Sequence, residues 1–185
     1  SLEVIEKKKD QIDFTTGVSI NNLSLNENDI GDFRTFLKLS PPLRTEEDRQ
    51  SLIRGINKDL IDVLVSDHKP EDEESKRLTF SQAATGASGI ETLLPLSLEL
   101  FHNNSIKLPK IIKLLTSNPA KVLKVDKGNL SIGNDADFCI VDINKPWIVK
   151  KEKMISKSKN TCIEDKKLQG KVTNTFVKGV ELFKL

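Results

Sequence analysis

The residues of this chain best suited to proton transfer stand side by side. Asp67 and His68 follow the aliphatic run Leu60-Ile61-Asp62-Val63-Leu64-Val65 and precede a charged, polar stretch at 69–85. A carboxylate there could accept or deliver a proton, and the loop that leaves a strand's carboxyl end is where function usually sits. The residue by itself leaves a plainer reading open, a helix cap or a loop-entry ion pair. Neither His68 nor His102 has partners at ligand spacing, so neither supports a metal site independently. His68 is expected to orient its loop, and His102 to be a solvated residue at the carboxy end of a helix. Cys139 alternates with Phe138 and Ile140 in an apolar run and is expected to be a buried structural thiol rather than a nucleophile. Cys162 is left open. The mixed charges from Glu71 to Arg77 read as a solvated loop surface.

The elements that must position these groups follow from periodicity. The opening residues, Ser1 to Lys9, read as the end of a helix with nothing before them to cap it, which points to a fragment. Residues 13–20 read as a strand ended by Asn21-Asn22. A second extended run at 34–40 must stop at Pro41-Pro42, which cannot donate ladder hydrogen bonds. Thr45 followed by Asp48 resembles a capping box and opens a helix over about 46–58, with Leu52, Ile53 and Ile56 facing a core. The run 60–65 is nearly all aliphatic, as a parallel strand covered on both faces should be. Strands alternating with helices argue for βαβ units; pattern alone fits a barrel or an open sheet. Helices follow over 90–101 and behind Pro109 and Pro119, with Pro95 admissible only in a first turn.

Near Lys124 the period changes from helical to alternating. Residues 137–143 read as a strand, and 171–177 with 180–183 as a hairpin turning at Lys178-Gly179. The sequence divides accordingly into 1–124 and a β unit at 125–185. Across its 185 residues the formal net charge is only +2 with both signs interspersed, so no basic stripe exists to bind nucleic acid or an anionic membrane surface. Two cysteines, no apolar leader and no spanning apolar run make a reduced, cytoplasmic setting the simplest expectation.

Five short motifs occur in order: Ser40-Pro41-Pro42-Leu43-Arg44, Ser66-Asp67-His68-Lys69-Pro70, Gly86-Ala87-Ser88-Gly89-Ile90-Glu91-Thr92, Thr116-Ser117-Asn118-Pro119-Ala120 and Ser156-Lys157-Ser158-Lys159-Asn160-Thr161. Together they resemble the carboxy-terminal portion of dihydroorotases of the long bacterial type, within the cyclic amidohydrolase superfamily. The resemblance implies an α/β fold: the last strands and helices of a metal-dependent (β/α)8 TIM-like barrel over 1–124, then a segment of a small composite β-sandwich over 125–185. Trp147 would anchor the sandwich to the barrel.

The implied reaction is the reversible cyclisation of N-carbamoyl-L-aspartate to L-dihydroorotate in pyrimidine biosynthesis, hydrolysis of a cyclic amide C–N bond in the reverse sense. Asp67 matches the family's catalytic carboxylate, which also ligates a metal. Ser40, Glu71 and Gly86 match substrate-binding positions, where Ser40 replaces an asparagine and Glu71 a histidine that holds the substrate carboxylate. Asn22 stands where the family has a zinc-ligating histidine, and Asn21 where it has the histidine before it; a neutral amide is the poorer ligand. Zinc is therefore the cofactor implied for the full-length family, and the fragment is expected to bind none and to be inactive alone. Two alternatives stay open: a non-catalytic structural partner of aspartate carbamoyltransferase, or a hydrolase of another cyclic amide such as a hydantoin. The partners implied are a small-molecule substrate, that transcarbamoylase, or a second copy in a homodimer.

Overall fold

The computed structural model describes residues 2–185. Helix α1 (Leu2–Lys8) places Lys7 and Lys8 in its last turn, where the negative end of the helix dipole favours cations. The run 13–20 is extended as a strand only at β1 (Gly17–Ser19), because the Ser19 hydroxyl already accepts the Asn21 N–H and starts α2 (Ile20–Ser24). Helix α3 (Glu46–Asn57) begins where Thr45 Oγ1 accepts the Asp48 N–H at 3.1 Å, and it buries Ile53 and Ile56. Strand β2 (Val63–Val65) then lies parallel to β1, with Gly17 opposite Val63, Val18 opposite Leu64 and Ser19 opposite Val65. A parallel pair needs a crossover, and α3 lies within it.

Two sequence expectations fail between these strands and just beyond them. Residues 34–40 do not form a strand: Thr35–Leu37 is a 3-10 turn, with the Lys38 N–H donating to Thr35 O. The Lys38 carbonyl, which a ladder partner would use, instead accepts the Gly86 N–H at 3.0 Å and the Lys76 ammonium at 3.4 Å. Nor is the stretch 71–77 wholly solvated. It contains a short helix, α4 (Glu73–Lys76), whose Lys76 is 0% exposed and donates to Ala84 O at 2.8 Å. Burial holds its ammonium pKa below the usual lysine value.

A 3-10 turn at Ile90–Thr92 leads into α5 (Leu93–His102), with Pro95 in the first turn, where a missing N–H costs nothing. Helices α6 (Leu108–Leu115) and α7 (Ser117–Leu123) carry Pro109 and Pro119 in theirs. Ile20, Leu23, Ile56, Leu96 and Ile111 are fully buried, so α2, α3, α5 and α6 close one core with the β1–β2 pair. Each such side chain contributes about 1.5–3 kcal/mol of transfer free energy.

The tail is a single antiparallel sheet, β3 (Phe138–Ile148), β4 (Lys167–Val177) and β5 (Val180–Lys184), in that spatial order. The second layer of a sandwich is not among the described residues. Lys178 and Gly179 both have positive φ, as a tight hairpin turn demands. Cys139 corrects the buried-thiol expectation: it is exposed on β3, while Cys162 is the buried cysteine. Burial pushes the Cys162 thiol up to about 12, which makes it inert at neutral pH. His102 is not solvated either, since its Nε2 shares a hydrogen bond with Ile143 O at 2.9 Å and ties α5 to β3. Trp147 packs on the main core and donates to Gly170 O at 3.1 Å. No helix among the described residues is long and apolar enough to cross a membrane.

Candidate functional site

Parallel strands in register deliver their carboxyl ends to one rim. β1 ends at Ser19 and β2 at Val65, so Asn21-Asn22 and Ser66-Asp67 leave the sheet on the same side. The backbone of Asp67 is left-handed, with φ of 49°, a conformation that aspartate tolerates better than most residues. The chain thereby turns sharply out of the strand with the carboxylate at the turn. Asp67 is half-buried and caps no helix; the nearby cap of α4 is Asp72, and the nearby ion pair joins Lys69 to Glu71 at 3.4 Å.

His68 orients the loop, as its lack of ligand partners predicted. Its Nδ1 accepts from the backbone N–H groups of Gly89 and Ile90 at 3.2 and 3.3 Å. A parallel bridge joins His68 to Ala87, and the Lys69 N–H donates to Ala87 O at 2.9 Å. The segment 86–89 therefore lies directly against the residues that follow β2. Two glycines permit this. A Cβ on Gly89 would stand 2.5 Å from Ser66 O, and one on Gly86, whose φ is +141°, would stand 2.7 Å from Lys69 O.

The other positions singled out in the sequence are brought to this neighbourhood by indirect links. Asn22 Nδ2 donates to Pro42 O at 3.3 Å, so the first strand's rim touches the Ser40-Pro41-Pro42 turn. Ser40 itself is exposed, two residues beyond the Lys38 carbonyl that holds Gly86. Glu71 is half-buried, and its backbone N–H donates to Asn160 Oδ1 at 3.3 Å. Asn160 also donates from Nδ2 to Gly86 O at 3.2 Å. Sequence reasoning quoted Asn160 within a motif but gave it no role; a buried amide is the signal it lacked, since burial is invisible in a polar stretch.

Taken alone, the described residues of this chain do not make up a zinc-binding set. Among the described residues no three His, Cys, Asp or Glu side chains converge. The rim offers one carboxylate and two amides, and the buried Asn21 Nδ2 that lacks a hydrogen-bond partner is a donor, which invites an acceptor rather than a cation. What these residues can do is hold a polar ligand among backbone groups and move a proton through Asp67.

A model of the family described as the amidohydrolase family matches residues 4–182. The chain is 41% identical to the dihydroorotase of Ehrlichia canis (strain Jake) over 180 residues, 97% of this chain and 40% of that protein. Against the dihydroorotase of Aquifex aeolicus (strain VF5) it is 39% identical over 185 residues, 100% of this chain and 44% of that protein. The chain thus spans about two fifths of the length of the curated relatives it matches. Among solved structures, L-hydantoinase (dihydropyrimidinase) from Arthrobacter aurescens superposes with a TM-score of 0.93 at 26% identity, covering 99% of this chain and 42% of that one. Dihydropyrimidinase from Brevibacillus agri NCHU1002 superposes at 0.90 with 20% identity, over 99% of this chain and 42% of that one, a likeness of fold.

Proposed function

The chain belongs to the amidohydrolase family, and from that premise we propose that it works as the carboxy-terminal part of a dihydroorotase. In this reading residues 1–124 complete a (β/α)8 barrel and residues 125–185 supply part of a composite sandwich. The substrate is N-carbamoyl-L-aspartate or, in the reverse sense, L-dihydroorotate. Asp67 is the catalytic group: as water adds to the ring carbonyl and the C–N bond breaks, its carboxylate takes the water's proton and passes it to the leaving amide nitrogen. Ser40, Glu71 and the backbone around Gly86 contact the substrate. Lys69, paired with Glu71, offsets the negative charge that would otherwise repel an acidic ligand. The family is generally metal-dependent, and Asp67 with the degenerate Asn22 position is what this chain would bring to a zinc centre; by itself it is proposed to bind none and to be inactive.

The observation that carries the reading is the half-buried Asp67 at the carboxyl rim, beside the Gly86–Gly89 segment and committed to no cap. The test is turnover of both substrates by the full-length protein. Asp67→Ala is expected to lower kcat by about 10²–10⁴-fold, with the thermal midpoint little changed. A full-length protein that holds no metal, turns over neither substrate and binds aspartate carbamoyltransferase tightly would instead be a structural partner, the reading that Asn21-Asn22 favours. Hydrolysis of a hydantoin in preference to dihydroorotate would favour the third reading, which the fold likeness to hydantoinase supports.

A further inference from the structure

Asn160 is 2% exposed, and both the oxygen and the nitrogen of its amide are hydrogen-bonded. Its Oδ1 accepts the Glu71 N–H at 3.3 Å and lies 3.2 Å from Ser88 Oγ, while its Nδ2 donates to Gly86 O at 3.2 Å. Its backbone carbonyl accepts the Ser88 N–H at 3.1 Å, and Ser158 Oγ stands both against Asn160 Oδ1 and 2.5 Å from Glu71 O. The orientation of the amide follows from these partners, since a peptide N–H needs an acceptor and a peptide carbonyl a donor. The segments it joins come from different parts of the chain, the loop after β2 and the stretch before α5, and Asn160 itself belongs to a third, between β3 and β4. The sheet on either side of it is anchored to the core through Leu168 and Val149.

From this geometry we infer that Asn160 is a positioning residue: one side chain fixes the distance between the Glu71 and Gly86 backbones, the two edges of the substrate site. The inference rests on the dihydroorotase reading for its consequence but not for its geometry. A carboxylate of the same shape keeps the acceptor for Glu71 and loses the donor to Gly86, so Asn160→Asp separates the two links without emptying the site. Removal of both, in Asn160→Ala, leaves a buried carbonyl and a buried N–H without partners.

The test uses the full-length protein and two readouts. In the first, Asn160→Asp is expected to raise KM for dihydroorotate about tenfold with kcat within about threefold, because the contacts it disturbs hold bound substrate rather than the reacting proton. A variant that merely loses folded protein would lower kcat at constant KM, and that result overturns the positioning role. In the second, amide hydrogen exchange in Asn160→Ala is expected to quicken in peptides spanning 67–72 and 84–89 together, with α3 unchanged as the internal control. Exchange that is unaltered in either peptide overturns the inference. If the parent protein turns over neither cyclic amide, the functional reading fails, and the exchange measurement alone decides the role of Asn160.

Discussion

Asp62 stands at the opposite end of strand β2 from Asp67, and the two carboxylates are used differently. Its Oδ2 accepts the Thr16 N–H at 2.9 Å and its Oδ1 the Lys9 ammonium at 3.0 Å, so the amino-terminal rim is closed by an ion pair. Burial works to raise the Asp62 carboxyl, but the Thr16 N–H and the Lys9 ammonium outweigh it and hold the pKa below the usual carboxylate range. A carboxyl depressed in the folded state gives stability that is complete above its ordinary pKa and is lost as pH falls through the folded value. Asp62→Asn is therefore expected to cost about 1–2 kcal/mol at pH 7, measured by urea unfolding. The gap between variant and parent should narrow in acid below the ordinary carboxylate range. A gap that widens there would contradict the assignment. Asp67, at the other end of the strand, has no such ion pair among the described residues.

At the scale of the element, α3 depends on one hydroxyl. Thr45 Oγ1 accepts the Asp48 N–H and donates to Asp48 Oδ2 at 3.0 Å. Thr45→Ala is expected to destabilise the protein by about 1 kcal/mol, read as a lower denaturation midpoint with an unchanged slope, while Thr45→Ser should restore most of it. This cap was legible in the sequence because it is local: donor and acceptor lie three residues apart. The parallel-strand character of 60–65 was legible too, through its aliphatic composition, although its partner was not and only Val63–Val65 pair, with Gly17–Ser19. The run 34–40 was not, since Leu37 and Leu39 are buried at strand-like spacing while the Lys38 carbonyl is claimed by Lys76 and Gly86, partners far along the chain. The same holds at the site. Asp67 could be picked out by its place after an apolar run, whereas the ammonium of Lys76 and the amide of Asn160 owe their burial to segments that meet only in three dimensions.

Across the whole molecule, protection from solvent is uneven. Helix α5 buries Leu96, Leu98 and Leu100, whereas every residue of β5 is exposed. Amide hydrogen exchange of the 185-residue chain is expected to be slowest in α2 and α5 and fastest in β5 among the regular elements. Equal rates in α5 and β5 would mean that the tail and the helical part open as one unit. The link between the two loops of the proposed site comes late along the chain. Asn160 leaves the ribosome 89 residues after Glu71 and 74 after Gly86, so both loops are translated long before their common latch exists. A nascent chain halted between Gly86 and Asn160 carries both loops and the bridge from His68 to Ala87, but lacks the side chain that ties Glu71 to Gly86.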